Sequence, residues 1–573
     1  MGWVYQKPMG PEKSFEDRIR GVDSLVTLRG DTLNEDWRFL RSILLGEHFQ
    51  RENTPVIILS PETGKLSPQM GPRANFAYKK RGGLADIAQA QCKGLMHRGI
   101  DTHLVTLNLS RAFKDQMQAD ELAYSSMIAG LPPDRIHLVG SEHIKSLDHS
   151  YVGDTVKTAL QLQIRAISVI KELRQQYFGK GIVVANDWMT AGLVSSYCKL
   201  RGIPLLDITH NSHTGLIPMS MVHATDEIRQ GMDSFIYRRF DPFTGIECMD
   251  SKATGIKNAS LSAFVGGRFL YEIVHDYFMD RTFIPESIRA EVKAKHRFDL
   301  TVVLPNPISP DFFPENQATN PNRDAHGLAA SYSPQDSYED IQAAKSKNLR
   351  KFQYQMGLND NPEVILLYWP SRFDNTQKGT ELLDRDMLKW FLRDNLDVQI
   401  AFVGDAANPE STQHVAEMVK LQRELTGRVA YRPFDQDLST LGYAAAAIVF
   451  GASLYEPFGQ IDALTWIYGA LSLNRNTGGY HDKMLELTLA MGDELEEPGK
   501  GVLFNTYNVS GLEYGLRSVT QQYRELRRNP DAASEKLHGI MRYSREIWDL
   551  DRTMERYYLP TLVRLNSGRP LIA

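Results

Sequence analysis

From residue 55 onward, short apolar runs alternate with longer amphipathic stretches. PVIILS (55–60), HLVTL (103–107), GIVVAN (181–186), PLLDITH (204–210) and LTVVLPN (300–306) read as buried strands. A second series runs through VILLYW (364–369), VQIAFVG (398–404), AAIVFG (446–451), ALSL (470–473) and GVLF (501–504). Helical spacing fills the intervals. After Leu84, apolar residues return at 88, 92 and 95, and Gly99 is a stop signal. Further helical patterns fall around 190–200, 408–426, 458–469 and 509–528. Strands alternating with helices predict parallel, doubly wound α/β domains. Two such series predict two domains with a cleft between them. Residues 1–52, with the amphipathic EDWRFLRSILL, read as an N-terminal helical extension. The first domain is expected over 53–302 and the second over 303–547, with a polar insertion or linker at 315–348. WDLDRTMERYYLPTLVRL opens a helix-like tail over 548–573.

Composition narrows the class. The 573 residues carry 65 basic and 70 acidic side chains, a net charge of -5, so nothing draws the whole chain to nucleic acid or an anionic membrane. The three cysteines, Cys92, Cys198 and Cys248, lack CxxC spacing, which argues against structural zinc and suits a reducing cytoplasm. MGWVYQKPMG has no apolar signal core, and AAAAIVF is far too short to span a bilayer.

The chemistry clusters after the strands. KKRGGLAD (79–86) places Gly82 and Gly83 at a helix start beside Lys80 and Arg81, a setting that suits a phosphate. Taken alone, the paired glycines favour the plainer reading, a solvated basic turn that needs glycine for its geometry. SRFDNTQKG (371–379) puts Arg372 and Lys378 on one loop, where they would stabilise a diphosphate as its charge grows. ASLYEPFGQ (452–460) carries Glu456 before a helix, either as an acceptor for sugar hydroxyls or as a helix-initiating acid. NTGGYHD (476–482) is a second glycine pair after a strand. No Asp-x-Asp motif stands at a strand end where a metal–diphosphate site would need one, so no metal or other cofactor is expected.

Read in order, these segments resemble the bacterial glycogen and starch synthases. KKRGGLAD is similar to their Lys-x-Gly-Gly-Leu-Ala-Asp motif and NDWMTAG (186–192) to His-Asp-Trp-His. DITHNSHTG (207–215) is similar to a strand ending Ile-His-Asn, and KATGIKNASLSAFVGGRFLYEI (252–273) to the stretch from Lys-x-Gly-Ile to Val-Ser-Pro-Thr-Tyr. VLPNPISPDFF (303–313) is similar to the Asn-Gly-Ile-Asp crossover; SRFDNTQKG, YEPFGQ and RNTGGYHD complete the set over residues 55–560. The resemblance implies a GT-B fold: two Rossmann-like domains facing a central cleft, with a C-terminal helix returning to the N-terminal domain. It implies retaining glucosyl transfer from a nucleotide sugar, ADP- or UDP-glucose, to the 4-hydroxyl ending an α-glucan. It assigns catalytic roles to His210, Asp187, Arg372, Lys378 and Glu456. Donor contacts fall to Lys80, Gly82, Gly83, Asn211, Gly459, Thr477, Gly478 and Gly479. Trp188 and Phe269 are candidates to stack on sugar rings, or core aromatics. The departures gather on the acceptor side. Asn186 and Met189 replace both histidines, Pro307 follows Asn306, and Gly266, Gly267 and Arg268 replace Ser-Pro-Thr. Phe458 stands for a cysteine, and the basic loop has one extra residue. A transferase with a small acceptor, a nucleotide-sugar isomerase and a lapsed glucan-binding scaffold are the rival classes.

Overall fold

A computed structural model describes residues 53–71, 74, 83–109, 135–147, 150–226, 231–277, 284–484 and 499–566. The extension at 1–52 lies outside the described residues, as do Lys80, Arg81 and Gly82. The chain divides into two units. One comprises residues 1–265, 270–307 and 550–573; the other comprises 266–269 and 308–549.

The first unit has β1 (Val56–Leu59), β2 (Thr102–Leu107), β3 (Ile136–Val139), β4 (Ile182–Asn186) and β5 (Leu205–Thr209). A small antiparallel sheet follows, of β6 (Leu216–Pro218), β7 (Arg238–Phe240) and β8 (Glu247–Asp250), ordered β6-β8-β7. β9 (Leu261–Phe264) and β10 (Thr301–Val303) complete the main sheet. Its seven parallel strands run β10-β9-β5-β4-β1-β2-β3. The chain winds outward from β1 to β3, then crosses back to β4 on the other side of β1. Loops after β1 and β4 therefore diverge, leaving the crevice where doubly wound sheets bind ligands. Helix Gly83–Met96 starts after the β1 loop and helix Trp188–Arg201 after β4. Ile57, Leu59, Val105, Ala185 and Leu205 pack with Ile167, Ile170, Leu193 and Val194 in the core.

The second unit carries β11 (Ile365–Trp369), β12 (Val398–Val403), β13 (Val429–Arg432), β14 (Ile448–Gly451), β15 (Leu471–Arg475) and β16 (Gly501–Phe504). These parallel strands run β13-β12-β11-β14-β15-β16, the dinucleotide-fold order, with its switch point between β11 and β14. β11 shows why a continuous apolar run signals such a strand. Ile365, Leu367 and Trp369 enter one core while Leu366 and Tyr368 enter the other.

The 315–348 stretch is not a linker. Leu328, Tyr332 and Ile341 join Leu366, Tyr368 and Val403 in one core, and helix Tyr338–Met356 begins within the stretch. Its polar residues tie its own backbone down. Asn348 accepts from the Ala329 and Ala330 amides at 2.8 and 3.1 Å, and the Tyr332 hydroxyl donates to the Tyr468 carbonyl at 2.9 Å. Composition suggested an insertion or linker because a few apolar anchors suffice when side-chain amides satisfy the rest. The tail is broken: a short helix at Leu550–Thr553, a π-helical turn at Met554–Tyr558, then helix Leu559–Asn566. It groups with the first unit. Among the described residues, no helix is long and apolar enough to cross a membrane.

Candidate functional site

In the second unit the loops after β11, β14 and β15 converge. Lys378 Nζ donates to Glu456 Oε2 at 2.6 Å, and the Ser453 hydroxyl donates to the same oxygen at 2.9 Å. Arg372 donates from Nε to Asp374 at 3.0 Å and from Nη2 to Gln377 at 2.9 Å. Its side chain is 44% exposed, whereas that of Asp374 is 6% exposed. Asp374 earns its burial by organising the turn, accepting from the Thr376 and Gln377 amides at 2.9 and 3.2 Å. The two cations of the basic loop are thus each matched by a carboxylate. The Asp374 turn organises the loop after β11 that carries both cations.

The glycines work by close approach. Gly379 has φ 69° and a Cβ there would overlap the Ala452 carbonyl. Gly478 has φ 44° and abuts the Glu456 carbonyl; a Cβ on Gly479 would overlap the Phe458 carbonyl. The Gly479 amide donates to the Glu456 carbonyl at 2.7 Å. Thr477 occupies the N-cap position of the short helix Gly478–Lys483, and Gly459, at φ 78°, that of helix Gln460–Ile467. The glycine pair therefore locks the Glu456 turn in place.

Behind this turn stands a pair the sequence did not expose. Lys483 Nζ meets Asp462 at 2.9 Å, donates to the Gly459 carbonyl at 2.8 Å and reaches the Phe458 carbonyl. Burial raises Asp462 to about 7, against the opposing pull of Lys483. Lys483 also lies 3.9 Å from the centre of the Phe458 ring, which packs edge-on to Trp548. That contact accounts for an aromatic residue at 458.

In the first unit, Asn186 ends β4 and Asp187 follows with φ 60°, an unusual conformation for a non-glycine residue. Asp187 Oδ1 accepts the His210 and Asn211 amides at 2.8 and 3.3 Å, fixing the backbone beyond β5. Burial raises the Asp187 pKa, with Lys252 and these amides opposing. His210 Nε2 lies 2.8 Å from Asn186 Oδ1, while Nδ1 is buried with no hydrogen bond to any described residue. Burial lowers His210 to about 3; the charge of Lys252 adds to this and the Asn306 side chain opposes it. Lys252 and Asp207, the latter on β5, form a fully buried ion pair at 2.9 Å. Asn211 accepts the Ser212 amide at 2.7 Å. Gly83 is exposed at the first position of its helix.

The structure thus brings Asp187, His210 and Asn211 together in one unit. It brings Arg372, Lys378, Glu456, Gly459, Thr477, Gly478 and Gly479 together in the other. Two stacking candidates change. Phe269 is wholly buried, and the half-buried Trp188 ring lies against the backbone of Gly215. Met189 and Asn186 are 1% and 0% exposed, so those departures alter packing rather than a surface. One Asp-x-Asp does follow a strand. Asp435 and Asp437 lie beyond the edge strand β13 with His326, their ligand atoms within 4.8 Å of one another and all three side chains exposed. Asp435 is already engaged as a helix cap, accepting the Leu438 amide at 2.7 Å.

Residues 74–282 match the starch synthase catalytic domain family. The glycogen synthase of Bacillus subtilis is 25% identical over 471 residues, covering 78% of this chain and 89% of its own. Starch synthase 2 of Arabidopsis thaliana is 24% identical over 477 residues, covering 78% of this chain and 56% of its own. Among solved structures, the catalytic domain of Arabidopsis thaliana starch synthase IV, bound to ADP and acarbose, superposes with a TM-score of 0.65. That match has 16% identity and covers 90% of this chain and 99% of the other. The chain is a glycosyltransferase with a GT-B fold, similar to the glycogen and starch synthases.

Proposed function

We propose that the protein is a retaining glucosyltransferase that moves glucose from ADP- or UDP-glucose to the non-reducing end of an α-1,4-glucan. The observation that supports this most is the set of Arg372, Lys378 and Glu456 at the β11/β14 switch point. Arg372 and Lys378 meet the diphosphate, whose negative charge grows as the glycosidic bond breaks. Glu456, held by Lys378 and Ser453, keeps an oxygen for the hydroxyls of the transferred sugar. His210, uncharged in its buried setting, supports the oxocarbenium-like state by position rather than by proton transfer. Asp187 holds the His210–Asn211 backbone in register. The departing phosphate takes the acceptor proton, so no carboxylate pair at glycosidase spacing is required. The two cations take the part that a divalent ion has in other transferases, and transfer proceeds without metal.

The named relatives are glycogen and starch synthases, which favours the glucan acceptor. A second reading, a small or non-glucan acceptor, rests on Gly266 and Gly267, where the family resemblance breaks. The test incubates purified protein with a panel of nucleotide sugars, with and without glycogen or maltooligosaccharides, and measures nucleoside diphosphate. Release from ADP- or UDP-glucose that requires glucan supports the first reading. Release that requires a small non-glucan acceptor, with none to glycogen, moves the assignment to the second.

A further inference from the structure

We propose that Asn186 is a positioning residue: backed by Gln91 and Tyr558, its side-chain amide fixes His210 as the Nε2–H tautomer and leaves Nδ1 as the bare acceptor. The argument starts at the end of β1. Asn186 Nδ2 lies 3.1 Å from the Leu59 carbonyl oxygen. A carbonyl only accepts, so the amide nitrogen must face β1 and Oδ1 must face away. The same nitrogen donates to Gln91 Oε1 at 3.1 Å, and Gln91 Nε2 returns a bond to Asn186 Oδ1 at 3.2 Å. The two amides are paired reciprocally, and flipping either would set like groups against each other. Gln91 Nε2 also reaches the Tyr558 hydroxyl at 3.3 Å, which ties the pair to the π-helical turn of the tail.

The remaining partner of Asn186 Oδ1 is His210 Nε2 at 2.8 Å. An amide oxygen cannot donate, so the hydrogen sits on Nε2. A second proton, on Nδ1, is opposed from several directions. The ring is desolvated, the buried Lys252 ammonium is nearby, and Asp187 directs Oδ1 to the His210 and Asn211 amides rather than to the ring. Asn306 is the nearby polar side chain that favours the charged ring, but its Oδ1, like His210 Nδ1, is buried without a hydrogen bond to any described residue. A histidine at 186, as in the resembling family, could either donate or accept and would leave the tautomer open. The consequence for turnover rests on the proposed transferase reading; the tautomer itself does not.

The test uses the full-length protein labelled with 15N-histidine, with the His210 imidazole signals identified by their loss in His210→Gln. The wild type should show a single Nε2–H form at pH 7, unchanged at pH 5. Asn186→Ser, with its thermal transition checked, should give a mixture or the Nδ1–H form. Its kcat should fall by about tenfold or more, the scale of losing an outer supporting hydrogen bond, with glucan KM little changed. Gln91→Met provides a second variant should Asn186→Ser fail to fold. A wild-type His210 in the Nδ1–H form, or titrating like a free histidine, overturns the proposal without any variant. An unchanged Nε2–H signal in a folded Asn186→Ser protein overturns the role of Asn186. The expected spectra with no nucleoside diphosphate release from any sugar donor would leave the positioning role standing and reject the transferase reading.

Discussion

Arg372 and Lys378 differ in burial, and that should separate their variants. Arg372 is the more exposed, so Arg372→Ala should leave the thermal transition near wild type while turnover drops. Loss of one contact to a charge that grows in the transition state costs about 3–4 kcal/mol, on the order of a hundred- to a thousandfold in kcat. Lys378→Ala should lower turnover similarly and also stability, because the mostly buried Glu456 loses its ion partner. Near-normal kcat in both would remove them from the mechanism. His210 gives a pH prediction. Its folded pKa is lowered from 6.5 to about 3, so between those values the unfolded chain binds the proton and the folded chain does not. Stability from this group therefore falls as pH falls below 6.5, by about 2 kcal/mol at pH 5. Urea unfolding at pH 7 and pH 5 should show that His210→Gln loses less stability on acidification than the wild type; equal losses would contradict the buried, uncharged ring. The placing of the charged residues was legible in the sequence because each follows an apolar strand. Gln91, Lys483 and Tyr558 were not. Gln91 and Tyr558 act through partners far along the chain, and Lys483 ends a six-residue helix too short to show a pattern.

At the scale of elements, the switch-point strands were the easiest to read, since both their faces are buried and their apolar runs unbroken. β3 was missed because His137 and Leu138 are only half-buried, and the β7–β8 hairpin because its exposed Phe240 and Phe243 give no inward stripe. The turns after β14 and β15 were legible as glycine positions, but their packing against each other was not. Gly479→Ala should force the Phe458 carbonyl aside and weaken the Gly479–Glu456 backbone bond. Overpacking of this kind costs about 1–3 kcal/mol. The change should also lower donor use, because Glu456 moves with its turn. A thermal melt and a donor titration check both, and an unperturbed donor KM and kcat would show that the turns are not coupled. The Asp435–Asp437 pair belongs to a different strand end, at the β13 edge. Transfer should therefore survive excess EDTA. Activity abolished by EDTA and restored by magnesium would overturn the role given to Arg372 and Lys378, and Asp435→Asn with Asp437→Asn would then show whether the edge cluster is responsible.

At the scale of the whole chain, the two units are not equivalent in how they are closed. The second is nearly continuous, 308–549, and both faces of its sheet are covered from within: Leu328, Tyr332 and Phe352 on one side, Met387, Phe391 and Leu516 on the other. The first depends on chain that returns after the second is complete. Tyr558, Leu559 and Leu562 of the tail are buried, Arg98 pairs with Asp551 at 3.0 Å, and Arg564 donates to the Asp299 carbonyl at 3.0 Å. Two α/β domains were readable from two series of strands, but this asymmetry was not, because the tail's apolar pattern names no partner. Residues 308–549 expressed alone should unfold cooperatively, as an element with its own covered core does. If the diphosphate contacts are those of Arg372 and Lys378, ADP or UDP should raise its transition, since a ligand bound to the folded form shifts the equilibrium by mass action. Residues 53–307 alone should be unstable until 550–573 is supplied, in the same chain or as a peptide. Thermal melts of the two fragments, with and without nucleotide and peptide, decide the matter. A stable 53–307 fragment indifferent to the tail would refute the closure argument. A folded 308–549 fragment that no nucleoside diphosphate stabilises would leave the fold intact and remove the donor site from the second unit.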